Sequence, residues 1–138
     1  MEKDLLLNYI KKHTLATLST ISKEGKPEAA LVGIAVTRNL EIIFDTVKTS
    51  RKYGNILQNP NVALVIGWDN ETTIQYEGVA KELSAADDEA YKEIYYQIFP
   101  EGRQRAESWP GLVHFIITPR WIRYSNFNEP QIIEELSF

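Results

Sequence analysis

Cysteine is absent from the 138-residue chain, so neither a disulfide framework nor a thiolate metal site can be built. Histidine is scarce: His13 and His114 are the only two, and neither has a second ligand three or four residues on. That leaves little for a metal hydrolase, and no metal site is expected. No apolar run approaches the roughly 20 residues that cross a bilayer. Lys11, Lys12 and His13 interrupt the N-terminal apolar run before it reads as a secretory signal. A cytoplasmic protein without membrane contact is expected. An excess of positive charge is missing too: 15 Lys+Arg stand against 19 Asp+Glu, a formal net charge of −4. Nonspecific nucleic-acid binding needs a positive field to displace counterions, so no nucleic-acid partner is expected. The dinucleotide fingerprint G-x-G-x-x-G, the phosphate loop G-x-x-x-x-G-K-[ST] and the nucleophile elbow G-x-S-x-G are all lacking.

What is present is ordinary globular composition, 43% hydrophobic and 25% charged, at a length that fits a single domain over residues 1–138. Lys3 to Lys12 places Leu6, Leu7 and Ile10 at helical spacing and ends on basic residues that suit the helix dipole. Thr14 to Thr20 alternates and is rich in Thr, which reads as a strand. Ser22 to Pro27 is turn chemistry, with Gly25 supplying a positive φ. Glu28 to Thr37, small and apolar, reads as a strand buried on both faces, and Leu40 to Phe44 as a third after a reversal at Arg38-Asn39. Thr49 or Ser50 can cap a helix that carries Tyr53, Ile56 and Leu57 inward and stops at Asn59-Pro60. Asn61 to Ile66 and Thr72 to Leu83 continue the strands, with Gly78 a candidate bulge. Ser84-Ala-Ala-Asp87 is a capping box before a helix with Tyr91, Ile94, Tyr95 and Ile98 on one face. Leu112 to Tyr124 is the last strand, where Pro119 demands a bulge or an edge. Strands without βαβ alternation predict a mainly β fold with peripheral helices, a small antiparallel barrel.

One stretch carries chemistry. Behind the strand end at Phe44 and Thr46, the loop through Lys48, Thr49, Ser50, Arg51 and Lys52 runs into a helix N-terminus. Positive residues there oppose the helix dipole unless an anion joins them. Free N–H groups, hydroxyls and an Arg-Lys pair describe a phosphate cradle, although the same charges could simply be solvated. His13 reads as a dipole cap at a helix end, and His114 as a strand residue facing either a site or the surface. Trp68, Trp109 and Trp121 are more readily core or interface packing than ligand contacts; Arg123 and Ser125 share the face of Trp121.

The ordered set Thr14-Leu-Ala-Thr-Leu-Ser19, Glu24-Gly-Lys-Pro27, Phe44-x-Thr46, Thr49-Ser-Arg-Lys52, Asn55-Ile-Leu57, Asn59-Pro60-x-Val62 and Gly78-x-Ala80 resembles the pyridoxamine 5′-phosphate oxidase-like family of FMN-binding split barrels. The resemblance covers nearly the whole chain. It implies a six-stranded antiparallel split β-barrel and a homodimer with FMN at the interface. In that family the residues matching Ser50, Arg51 and Lys52 hold the FMN phosphate, with Thr49 beside them. Those matching Phe44 and Thr46, with the backbone of Ala30, Leu31 and Val32, line the ring. Gln75 or Thr73 is expected to reach the flavin from the neighbouring subunit, and Trp121 to cover it, with Arg123 able to steady negative charge on the reduced ring. Relatives bind the deazaflavin F420 or haem, and the two histidines make haem the poorer match. Ala30 and Ala35 stand where the oxidase that names the family has Arg and Lys, and Ser125 stands where it has Trp. The resemblance therefore implies an FMN-dependent oxidoreductase of unidentified small-molecule substrate, or a non-catalytic flavin-binding module, rather than the oxidase itself.

Overall fold

The computed structural model describes residues 2–84 and 88–138. The chain opens with helix α1, Glu2–Lys12, which buries Leu6 and Ile10, two of the three residues the spacing predicts. Strands β1 (Leu15–Ile21) and β2 (Pro27–Gly33) pair antiparallel through the Gly25 turn, where φ is 81°. Strand β3 (Ala35–Val36) is short and pairs with β4 (Ile42–Val47). Helix α2 (Arg51–Gln58) follows, then β5 (Asn61–Ile66) and the long β6 (Thr72–Glu82). Helices α3 (Glu89–Ile98) and α4 (Glu101–Ser108) precede β7 (Leu112–Asn126) and β8 (Ile132–Ser137). The Ser84-Ala-Ala-Asp87 box extends outside the described residues.

The strands form one curled antiparallel sheet in the order β2-β1-β5-β6-β7-β4-β3, with β8 added to β7. It is a half-barrel of the expected split-barrel type, built from eight strands rather than six. Two departures account for the count. The Glu28–Thr37 run breaks at Ile34 into β2 and β3, and the acidic tail supplies β8, paired with β7 from Trp121 to Asn126. Nor is β2 buried on both faces. It pairs only with β1 and buries only Val32, leaving Ala29 and Leu31 exposed on the outer side.

The inner face holds the main core, in which Leu18, Phe44, Leu64, Ile74, Tyr76, Phe115 and Ile122 meet Leu6 and Ile10 of α1. Phe44 and Phe115 stack with centroids 5.4 Å apart. Tyr76 is fully buried and donates its hydroxyl to the Leu40 carbonyl at 2.7 Å. Leu40 itself takes φ 64° in the turn before β4, a conformation costing about 1–2 kcal/mol for an L-residue. Full burial of its side chain offsets that strain. On the other side of β4 and β7, α3 covers a smaller core of Ala35, Ile43, Leu83, Tyr95, Tyr96 and Ile116.

A bulge lies in the β6–β7 ladder: Glu77 pairs with Trp121 and Gly78 with Pro119, so Arg120 is the extra residue. Both sequence signals, Gly78 and Pro119, belong to it. A Cβ on Gly78 would approach the Thr118 carbonyl oxygen to 2.5 Å, which explains the glycine.

Candidate functional site

Helix α2 begins beside the end of β4 and beneath the free edge of β2. Ser50 is its N-cap: the side-chain oxygen accepts the Tyr53 N–H at 3.3 Å and lies 2.9 Å from the Thr46 hydroxyl. The loop before it is pinned by Ser50 N–H to Val47 O, 3.0 Å, and Lys48 N–H to Gly111 O, 2.9 Å. No acidic residue occupies the first turn of α2, so its positive end and the Arg51 and Lys52 side chains reinforce each other.

Between α2 and the β2 edge is a cavity of about 110 Å³ lined by Leu18, Thr20, Glu28, Ala29, Ala30, Arg51 and Lys52. Arg51 reaches Glu28, Nη1 to Oε2, at 3.2 Å. The other Glu28 oxygen accepts from Asn55 Nδ2 at 2.8 Å, and the same nitrogen donates to Thr20 Oγ1 at 2.9 Å. Asn55 is buried on α2, so the acid is held from the core side. Glu28 carries no motif, and Asn55 belongs to the Asn55-Ile-Leu57 piece of the resemblance without a stated role; 27 residues separate them, and the packing of α2 against β1 brings them together.

Of the expected site residues, Arg51, Lys52 and Ala30 line this cavity, while Thr46 and Ser50 meet each other at the adjoining helix start. Thr49 is exposed on the approach to the helix. Val32 and the Phe44 ring are in the main core, so Phe44 offers a ligand no side-chain surface. Leu31 points to the opposite face and is 62% exposed. Gln75 is three strands from β2 and Trp121 four, roughly 14 and 19 Å at about 4.8 Å per strand, both on the outer face. One chain therefore separates these two from its own cradle.

That outer face is ordered by register. Leu31, Thr17, Val65, Gln75, Arg123 and Glu135 form one cross-strand row; Ala29, Ser19, Ala63, Glu77 and Trp121 form the next. The β2-β1-β5 end is apolar and exposed, with Leu15 at 47% and Val65 at 40%. At the polar end Arg123 is ion-paired with Glu135 of β8 and lies over the Trp121 ring, 5.2 Å from its centroid. Trp68 and Trp109 are exposed rather than packed in the core.

Both histidines are engaged elsewhere. His13 closes α1, with Nδ1 2.7 Å from the Tyr9 carbonyl oxygen and Nε2 2.8 Å from Asp69 Oδ1. That bond holds the Asp69 carboxyl below its ordinary value. His114 faces neither the surface nor a site. It is buried in the smaller core, edge-on to Tyr95 and Tyr96 at 5.5 Å each, and burial pushes its pKa down. Its strand partner Asp45 has Oδ2 3.6 Å from Arg105 Nη2. Among the described residues, no group of three or more His, Asp or Glu side chains could hold a metal ion, and no helix is long and apolar enough to cross a membrane.

Residues 3–126 match the family model described as pyridoxamine 5′-phosphate oxidase, and the chain belongs to that family. It is 34% identical over 90 residues to the pyridoxine/pyridoxamine 5′-phosphate oxidase of Ehrlichia ruminantium, a match spanning 64% of this chain and 46% of that protein. The chain thus covers about half the length, or less, of the curated relatives it matches. In fold it is similar to a heme binding protein from Mycobacterium smegmatis, with TM-score 0.85 at 12% identity over 99% of this chain and 58% of that one. It is also similar to a pyridoxamine 5′-phosphate oxidase-related, FMN binding protein from Nostoc punctiforme, with TM-score 0.68 at 12% identity over 98% and 93%. The fold thus occurs with both ligands.

Proposed function

We propose that this chain is an FMN-binding flavoprotein that works as a homodimer and acts as an oxidoreductase on a small molecule. The observation that carries the reading is the cradle at the start of α2, where Arg51, Lys52 and a helix N-terminus capped by Ser50 adjoin one small cavity at a sheet edge. At about 110 Å³ the cavity suits an anionic terminus but falls short of the roughly 300 Å³ at which ligand pockets begin, so a tricyclic ring must lie outside it. The adjoining β2 edge offers unpaired backbone N–H and C=O groups to the polar rim of such a ring.

A second copy would complete the site. The exposed apolar end of the outer face supports a two-fold contact, and in such a dimer the partner would contribute Gln75 and Trp121. FMN, when bound, supplies the hydride chemistry, while this chain binds it, orients it and shields it from water. Arg123 is already neutralised by Glu135, which limits what it can add at the ring.

Haem suits the side chains less well, because both His13 nitrogens are bonded and His114 is enclosed. Oxidation of a pyridoxamine phosphate is not proposed. Ala30 brings no charge to the cavity and Ala35 is buried in the smaller core. The absorption spectrum of the purified protein tests the reading: a flavin spectrum, intrinsic or acquired on adding FMN, is expected. A Soret band, a deazaflavin spectrum or indifference to FMN overturns it. Sedimentation at micromolar concentration tests the dimer, and a monomer that still binds FMN tightly would remove the interface site.

A further inference from the structure

Among the described residues, Glu28 is the only carboxylate that lines the cradle. We propose that Glu28 is a specificity-determining residue of the anion cradle, which sets its selectivity by charge and weakens its preference for a phosphate dianion. The inference rests on reading the cradle as the cofactor's phosphate site, and it adds what this chain does with that site.

Glu28 lies on β2 with its side chain toward Thr20 and α2, and both of its oxygens are engaged. Asn55 holds Oε1 at 2.8 Å and Arg51 holds Oε2 at 3.2 Å. The two partners differ in freedom. Asn55 is buried and also tied to Thr20, whereas the Arg51 side chain is 77% exposed against 21% for Glu28. When an anion enters, Arg51 can swing to meet it, but the carboxylate stays. The side chains lining the cradle then carry two positive charges, Arg51 and Lys52, and one negative, Glu28, a sum of +1. A phosphate monoester brings about −1.5 to −2 at neutral pH, so part of its charge faces a fixed like charge. A singly charged phosphate ester is matched without that excess. Guanidinium has donors enough to bridge carboxylate and phosphate together, so geometry permits the competition rather than forbidding entry.

A positioning role would act with the opposite sign. If Glu28 served to aim Arg51 at the ligand, removing its charge would weaken binding, whereas a competing charge removed must strengthen it. The test titrates FMN and riboflavin, which lacks the phosphate, into wild type and Glu28→Gln, following flavin fluorescence at low and high salt. Glutamine keeps the shape and an acceptor for Asn55, and circular dichroism melting checks that the fold is unchanged. The expected result is FMN binding tighter by roughly two- to fivefold in Glu28→Gln with riboflavin unchanged, the scale of one solvent-screened charge contact. The gain should shrink at high salt and persist when Arg51→Ala is added, because the repulsion acts directly between carboxylate and phosphate. Equal or weaker FMN binding by Glu28→Gln overturns the proposal. If neither protein binds any flavin, the flavoprotein reading fails by itself. Inorganic phosphate, followed by the amide shifts of residues 50–52, then decides on Glu28: tighter phosphate binding by the variant upholds the proposal, and unchanged or weaker binding overturns it.

Discussion

Two of the places where this molecule brings an acid and a base together differ mainly in what surrounds them. At the β2 edge, Glu28 meets Arg51 beside an open cavity, with Lys52 and the start of α2 adding positive charge. Beneath α3 and α4, Asp45 is paired in register with His114, with Arg105, Tyr95 and Tyr96 packed over them. The second grouping has the richer catalytic vocabulary and is closed. Burial raises the Tyr95 hydroxyl and lowers His114, so each is held in its neutral form. The first has plainer residues and an entrance. Residue type suggests chemistry, but a sheet edge beside a helix start decides where a ligand can enter.

The comparison is sharpened most by removing the cradle's cations. Arg51→Ala combined with Lys52→Ala should cost about 3 kcal/mol or more of FMN affinity, over a hundredfold, since each charged hydrogen bond contributes roughly 1.5–3 kcal/mol. Thermal unfolding of the unliganded variant should stay near wild type, because Arg51 is exposed and its pair with Glu28 is a weak surface contact. Retained FMN binding with a lowered melting temperature would mean that the two regions have been assigned the wrong way round.

The buried grouping should instead respond to pH. Burial depresses His114 below its ordinary value of 6.5, so the unfolded chain takes up this proton before the folded one does. His114 therefore costs no stability above about 6.5, and stability falls as pH drops from there toward the folded value, by at most about 1.4 kcal/mol per pH unit. His114→Phe, packed against the same tyrosines, should flatten the difference in urea stability between pH 7.5 and 5.5 while leaving FMN affinity unaltered. An unchanged slope would show that His114 is not the group responsible.

Ser50 tests whether the two properties ever overlap. As N-cap of α2 and neighbour of Thr46, it belongs to both scaffold and cradle. Ser50→Ala should lower stability by about 1 kcal/mol and weaken FMN binding several-fold at once. Loss of only one of the two would assign Ser50 to that role alone.

Much of the scaffold was legible locally. Gly25 marks a turn because its positive φ is costly for other residues, and Ser50 marks a helix start because its oxygen can satisfy an orphan N–H. Strand β8 was not legible: Ile132, Ile133 and Leu136 alternate poorly with Glu134 and Glu135, and such charges are ordinary on an edge strand. Nor could local pattern place the ring of Phe44, a strand residue that the family resemblance set against the flavin and that packs in the main core.

By itself the sequence determined the start of α2, the Gly25 turn, where most strands fall along the chain and the basic run that forms half of the cradle. These depend on interactions within a few residues, where spacing and φ preference suffice. Only the tertiary structure decided that Glu28 and Asn55 complete that cradle, that His114 is sealed away, and that Gln75 and Trp121 lie strands apart from Arg51. Those outcomes depend on which edge of a curled sheet is left unpaired and which face a helix covers, and long-range packing settles both.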